Sequence, residues 1–254
     1  MRVAALYDVH GNLAALDAVL AEVAGERVDA IVLGGDFSAG PQAEETVDRL
    51  RGLGERVLFL SGNAERELAD LEWQPEGELS RERVVFTRQE LGDERLAFLR
   101  SLPETVRLRI EPLGDVLFCH GSPRGDLEML TDATPEERLR DAVAGAGADL
   151  VVCGHTHAQW RRIVDGLTVL NAGSVGMPYE GRPGAFWALL GPGIEHRRTE
   201  YDVDAAVAAY RASGYPDADE FARETLLEPA TAAEATEFFE RLALERPEFA
   251  GRGI

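Results

Sequence analysis

Seven side chains that can bind a divalent metal ion follow the apolar runs of this sequence. They are Asp8, His10, Asp36, Asn63, His120, His155 and His157. The set includes four of the five histidines in the chain. Carboxylate, amide and imidazole ligands together suit manganese, iron, cobalt, nickel or zinc. Since seven donors exceed the needs of one four-coordinate site, the sequence predicts two metal ions.

Each of these residues comes directly after a short apolar run that is typical of a buried strand. The runs cover residues 3–7, 30–33, 57–60, 116–119 and 150–153. Open α/β sheets build their sites at the carboxyl ends of parallel strands, so the seven side chains are expected to meet at one edge. Glycines beside them, such as Gly35 and Gly62, allow tight turns there.

Strands and helices alternate in the first half of the chain, and strands cluster in the second half. Asn12 is the expected cap of a first helix, and residues 64–103 form a charged helical insertion. Closely spaced strands around the Asp165-Gly166 turn indicate a second sheet packed on the first. We predict one domain over residues 1–215 and a helical C-terminal appendage over residues 216–254. Its aromatic residues should cover the sandwich or a dimer interface.

Composition excludes several kinds of chemistry and of partner. The chain has 46 acidic residues against 26 basic ones, a net charge of −20, and every basic residue is an arginine. Without lysine there is no Schiff base, pyridoxal phosphate anchor or Walker A motif. The acidic surface disfavours nucleic acid and anionic lipid. The sequence has only two cysteines and shows no signal peptide or membrane span. It therefore predicts a cytoplasmic protein whose cysteines are reduced.

Five short motifs resemble those of the calcineurin-like metallophosphoesterase superfamily, in the same order. They are Asp8-Val9-His10, Gly35-Asp36, Gly62-Asn63, Cys119-His120-Gly121 and Gly154-His155-Thr156-His157. Two later segments, over residues 171–176 and 201–205, are similar to the bacterial phosphodiesterase-like branch. The resemblance covers residues 1–215.

The resemblance implies a four-layer αββα sandwich of two mixed sheets flanked by helices, with a dinuclear site at the carboxyl edge of the strands. It assigns Asp8, His10 and His157 to the first metal, and Asn63, His120 and His155 to the second. Asp36 would bridge them, and a catalytic role falls to Asp36, Asn63 and His120. A hydroxide between the metals would attack phosphorus in line. Manganese is the favoured ion, with iron, zinc, nickel and cobalt as alternatives.

Two departures from the family pattern bear on the substrate. Ala64 stands where the protein phosphatases of the superfamily have a histidine that serves the leaving group. The run from Asp36 to Gly40 also lacks their phosphate-clamping arginine. Both features argue against a protein phosphatase and favour a phosphodiesterase.

Several further expectations concern substrate and partners. Asn12, Arg66 and Arg124 lie close in sequence to the ligands and are candidate substrate contacts. The expected partner is a small phosphate ester, without nucleic acid or membrane, and a homodimer is compatible with the sequence. Two alternatives stay open. The chain could hydrolyse dinucleoside polyphosphates, or it could be a non-catalytic metal-binding scaffold, like the retromer subunit that resembles phosphoesterases.

Overall fold

Two five-stranded mixed sheets form the centre of the protein in a computed structural model that describes residues 1–251. The first sheet contains β1 (Val3–Leu6), β2 (Ala30–Leu33), β3 (Val57–Phe59), β9 (Ala185–Leu190) and β10 (Ile194–Thr199), in the order β10-β9-β1-β2-β3. The second contains β4 (Thr105–Ile110), β5 (Gly114–Cys119), β6 (Leu150–Cys153), β7 (Trp160–Val164) and β8 (Leu167–Asn171), in the order β4-β5-β6-β8-β7. The predicted α/β sandwich of two mixed sheets is confirmed.

Helices cover the outer faces of the sheets. They are α1 (Leu13–Gly25), α2 (Ala43–Arg51), α3 (Asn63–Ala69), α4 (Glu78–Arg100), α5 (Glu136–Val143), α6 (Val203–Ser213), α7 (Ala218–Ala222) and α8 (Ala232–Glu245). Gly92 breaks α4 with a φ of 62°. None of the helices that the structure describes is both long and apolar enough to cross a bilayer.

The central strands are apolar on both faces because both faces are covered. In β1, Val3 and Ala5 pack between the two sheets, whereas Ala4 and Leu6 face the helical layer that includes α1. The Tyr7 hydroxyl donates a hydrogen bond to the Val152 carbonyl, 3.0 Å away on the opposite sheet. The continuous apolar runs of the sequence are therefore strands buried on both sides.

The structure contains two edge strands, β4 and β10, that the apolar runs of the sequence do not predict. The residues of β4 alternate between exposed and half-buried or buried positions, and half of the residues of β10 are exposed. Arginine occupies several positions in both strands, such as Arg107 and Arg109 in β4. An edge strand with one solvated face needs no continuous apolar run. The Asp165-Gly166 turn, in contrast, joins β7 and β8 as an antiparallel hairpin, as the sequence predicts.

The C-terminal helices pack on the sandwich within the same chain. Phe239 of α8 lies in an apolar cluster with Met129 and contacts the Tyr179 ring, with centroids 5.9 Å apart. An ion pair of 2.6 Å joins Arg138 to Glu240, and Glu240 also accepts a hydrogen bond from the Thr131 hydroxyl. These contacts make α8 part of the folded body.

Truncation after Tyr215 is therefore expected to destabilise the protein. It removes buried side chains such as Phe221, Leu226 and Phe239, and each large apolar side chain contributes roughly 1.5–3 kcal/mol. We expect the melting temperature to fall by about 10 °C or more. Calorimetry of the full-length and truncated chains measures the change. A truncated chain that stays soluble and melts at the same temperature would contradict this expectation.

Candidate metal centre

The seven predicted ligands all lie at one edge of the sandwich, just beyond the ends of parallel strands. Backbone hydrogen bonds connect the loops that carry them. The Asp8 amide donates to the Gly35 carbonyl at 3.1 Å, and the His10 amide donates to the Asp36 carbonyl at 3.0 Å. In the second sheet, the Gly154 amide donates to the His120 carbonyl at 2.9 Å. The loops after neighbouring strands are thus held in fixed register.

The aspartates and histidines form two groups, within each of which the candidate ligand atoms lie within 4.8 Å of one another. The groups are Asp8, His10 and His157, and Asp36, His120 and His155. Asp36 Oδ2 lies 3.4 Å from His120 Nε2 in its own group and 3.9 Å from His10 Nε2 in the other. Asp36 Oδ2 thus lies near both groups, as does Asp8 Oδ1, which is 3.4 Å from His157 Nε2 and 4.0 Å from His120 Nε2.

Asn63, the remaining predicted ligand, begins α3 and lies beside the second group. Its Oδ1 atom is 3.2 Å from His120 Nε2. The amide oxygen and the imidazole thus converge on the same space. Asn63 therefore lies beside the second group, to which the sequence motifs assign it.

Each aspartate uses one carboxylate oxygen to hold the backbone and turns the other toward the histidines. Asp8 Oδ2 accepts from the His155 amide at 3.0 Å, and Asp36 Oδ1 accepts from the Ala64 amide at 2.8 Å. Asp8 Oδ1 and His155 Nε2 are buried and have no hydrogen-bond partner within residues 1–251. Buried polar atoms without a partner are costly, and a divalent cation would satisfy both. The donor set therefore fits metal ions.

Backbone carbonyls fix the orientation of two histidine rings. The Nδ1 atom of His120 lies 2.9 Å from the Gly34 carbonyl, and that of His157 lies 2.8 Å from the Met177 carbonyl. A proton on Nδ1 can be donated to each carbonyl, which leaves Nε2 as the ligand atom. Tyr179 stacks on the His157 ring at a centroid distance of 4.9 Å and an angle of 18°.

The backbone is strained at these positions. Of the eight non-glycine residues with positive φ among residues 1–251, five are predicted ligands. They are Asp8, His10, Asp36, His155 and His157, with φ between 47° and 66°. Such conformations cost roughly 1–3 kcal/mol each and persist where the surroundings enforce them, typically at functional sites. The strain concentrates at the predicted metal centre.

Gly35 shows why a glycine precedes the central aspartate. Its φ is 92°, and a Cβ atom there would lie 2.7 Å from His120 Nδ1 and 2.6 Å from the Gly62 amide nitrogen. Any side chain would therefore push His120 or the Gly62 loop away. The close approach of the two sheets at the candidate metal centre therefore depends on this glycine.

The site contains charged and neutral groups side by side. Burial lowers the pKa of His10 to about 4, helped by His157, and burial lowers the pKa of His155 to about 4, helped by His120. Burial also disfavours charge on His120, but Asp36 and Asp8 outweigh it and raise its pKa to about 10. For Asp36, the histidines, with His120 foremost, overcome the effect of burial and hold the carboxyl pKa below its usual range. The Asp36 carboxyl is thus ionised at neutral pH.

Glu65 is a component of the site that the sequence analysis did not identify. Its fully buried carboxylate accepts from the amides of Asp36, Phe37 and Ser38, from the Ser38 hydroxyl, and from the Gly62 amide. These bonds connect the Asp36 loop to the loop before Asn63. A signal is present in the sequence, since Glu65 comes three residues after Gly62 at the start of a helix, where glutamate often bonds back to the chain.

The three candidate substrate contacts differ in their surroundings. Asn12 is fully buried and caps α1, with Oδ1 accepting from the Ala15 amide and Nδ2 donating to the Gly176 carbonyl. Its amide is thus engaged in holding the structure together. Arg66 forms a 2.6 Å ion pair with Asp126, and Arg124 pairs with the buried Glu128. Both arginines line a cleft that reaches His120.

Comparisons with known proteins agree with this geometry. A family model described as the calcineurin-like phosphoesterase superfamily domain matches residues 1–190. A metallophosphoesterase from Sphaerobacter thermophilus has a similar structure, with a TM-score of 0.72, 26% identity, and coverage of 90% of this chain and 99% of that one. A hypothetical protein from Pyrococcus horikoshii OT3 shares the fold, with a TM-score of 0.77 at 18% identity over 87% of this chain and 97% of its own.

One curated protein is also similar in sequence. An uncharacterized protein from Methanocaldococcus jannaschii is 28% identical over 227 residues. The match covers 80% of this chain and 89% of the relative.

Proposed function

The chain belongs to the calcineurin-like phosphoesterase superfamily, and we propose that it hydrolyses phosphate diesters with two divalent transition-metal ions, manganese foremost. One observation carries the proposal. Two groups of candidate ligands lie side by side, and Asp36 Oδ2 is within 4 Å of a histidine in each group. A complete donor set of this kind supports an enzyme over a non-catalytic scaffold.

We assign the residues to two metals as the sequence motifs suggest. Asp8, His10 and His157 would hold one ion, Asn63, His120 and His155 the other, and Asp36 would contact both. Bound ions would supply positive charge to the phosphoryl oxygens and activate water at neutral pH. The chain contributes by orienting ligands through the Gly34 and Met177 carbonyls and by excluding water from the buried carboxylates.

Charge supports a diester over a monoester. A phosphate monoester is largely a dianion at neutral pH, whereas a diester has one negative charge. The guanidiniums of Arg66 and Arg124 are each paired with a carboxylate, so neither is free to clamp a second negative charge. Ala64, beside Asn63, offers no proton to a departing alkoxide. Both features favour a diester with a good leaving group.

A screen with the metal-loaded protein tests the proposal. Its substrates are bis(4-nitrophenyl) phosphate, 4-nitrophenyl phosphate and a dinucleoside polyphosphate, each assayed with manganese, zinc, iron, cobalt and nickel. We expect kcat/KM for the diester to exceed that for the monoester by about tenfold or more, which corresponds to about 1.4 kcal/mol. Preference for the monoester, or no hydrolysis with any metal, would refute it.

Substitution of Ala64 by histidine tests the role of that position. A general acid contributes roughly 10²–10⁴-fold, mainly for poor leaving groups. Wild-type kcat/KM should therefore fall steeply as the leaving-group pKa rises, and Ala64→His should raise activity on poor leaving groups by about tenfold or more. A series of diesters graded by leaving-group pKa provides the measurement.

Ala64→Gln is the matched control, because it adds a polar side chain without an imidazole at the same 8% exposed position. It should leave the slope of the series unchanged. Melting temperatures of both variants show whether the added side chain fits. A flat dependence in the wild type would mean that another residue donates the proton, and the reasoning from Ala64 would fail.

A further inference from the structure

A cleft of about 880 Å³ opens beside the candidate metal centre and reaches His120. Its walls come from the α3–α4 region on one side and from the loop of residues 122–127 on the other. We propose that this cleft holds one organic group of the substrate and that the group is aromatic, an inference that rests on the proposed function.

The wall of the cleft is rich in leucine. Leu71, Leu99, Leu102 and Leu127 all line it. Leu71 is 59% exposed. Exposed apolar area at a concave surface beside polar catalytic groups is typical of a ligand pocket. A planar apolar group would remove this surface from water.

The charged residues of the cleft balance one another. Three arginines and three acidic residues line the cleft; they are Arg66, Arg100 and Arg124, and Asp70, Glu104 and Asp126. Arg66 is held by Asp126, and Arg100 donates to the Ala69 carbonyl at 2.6 Å. A cleft with this balance offers no excess positive charge to further phosphate groups. It therefore favours an uncharged organic group over a polyphosphate chain.

The volume of the cleft also indicates a large group. Pockets of roughly 300–1,000 Å³ hold small organic ligands, and the cleft lies within that range. A methyl or ethyl ester would leave most of it filled with water. An aromatic ring buries far more apolar area and gains binding free energy in proportion. Selectivity among diesters should therefore follow the apolar area of the group in the cleft.

A pair of inert ligands tests the inference on the manganese-loaded protein. Phenylphosphonate and methylphosphonate carry the same anionic group and have no ester bond to hydrolyse, so they differ only in the group offered to the cleft. We expect phenylphosphonate to bind about tenfold or more tightly by calorimetry. Leu71→Asp should reduce this ratio to about threefold or less, because it places a charge against the ring.

Leu244→Asp is the control, since Leu244 is 87% exposed on α8 and does not line the cleft. It should leave the phenyl-to-methyl ratio unchanged. Equal affinity for the two phosphonates in the wild type, or the same ratio in Leu71→Asp as in Leu244→Asp, would overturn the inference.

Diester hydrolysis separates this inference from the proposed function. Methyl 4-nitrophenyl phosphate and phenyl 4-nitrophenyl phosphate share a leaving group, and kcat/KM should be about tenfold higher for the phenyl ester in the wild type. If neither ester is hydrolysed while phenylphosphonate still binds more tightly, the proposed function fails and the aromatic cleft stands. If both are hydrolysed at equal rates, the cleft fails and the proposed function stands.

Discussion

Replacement of Asp36 by asparagine is expected to lower kcat/KM for bis(4-nitrophenyl) phosphate by about 10³-fold and to weaken both metal ions together. The substitution preserves shape but removes the negative charge that lies 3.4 Å from His120 Nε2 and 3.9 Å from His10 Nε2. Since one carboxylate oxygen lies within 4 Å of a histidine in each group, loss of its charge should lower the affinity at both. Titration calorimetry with manganese and metal analysis after dialysis measure the change.

Two comparison variants make the Asp36 result specific. His157→Ala removes a predicted ligand from the first group alone, so it should weaken one ion more than the other. Asp165→Asn makes the same chemical change in the exposed β7–β8 hairpin and should leave metal content and activity unchanged. Full occupancy by two ions in Asp36→Asn, or binding of only one ion by the wild type, would contradict the assignment of Asp36 as a bridge.

Strand ends explain why candidate ligands that are distant in the sequence meet at one edge of the sandwich. Asp8, Asp36 and His120 each follow an apolar run, and the runs can be recognised without knowing their partners. Because parallel strands bring their carboxyl ends to one edge, position in the sequence translates into position in space. The cap at Asn12 and the hairpin at Asp165-Gly166 are similarly local, and the structure contains both.

The features that the sequence does not reveal depend on contacts between distant segments. Pairing of Arg66 with Asp126 joins residues 60 positions apart, and no local pattern indicates it. The helical character of residues 64–103 is visible in the sequence, but its role as a wall of the cleft is not. Strands such as β4 lack an apolar run because one of their faces is solvated.

Glu65→Gln is expected to lower the free energy of unfolding by about 3 kcal/mol or more and to weaken manganese binding by roughly 10–100-fold. The Glu65 carboxylate accepts from four backbone amides and one hydroxyl in a fully buried position. Glutamine has nearly the same shape but replaces one acceptor oxygen with an amide that can only donate. Several buried donors would then lose their partner, and each such loss costs roughly 1–3 kcal/mol.

The effect on metal binding has a separate cause. The Glu65 carboxylate accepts hydrogen bonds from the backbone amides of Asp36 and Gly62. Asp36 is itself a predicted ligand, and Gly62 directly precedes another, Asn63. If the carboxylate fixes these loops, Glu65→Gln should weaken manganese binding even at temperatures where the variant is fully folded. Glu90→Gln, an exposed substitution on α4, is the control for the loss of a negative charge. Urea unfolding with and without manganese separates the change in the free energy of unfolding from the change in the affinity for manganese. A variant that loses stability but binds manganese as tightly as the wild type would show that Glu65 supports the fold and does not position the ligands.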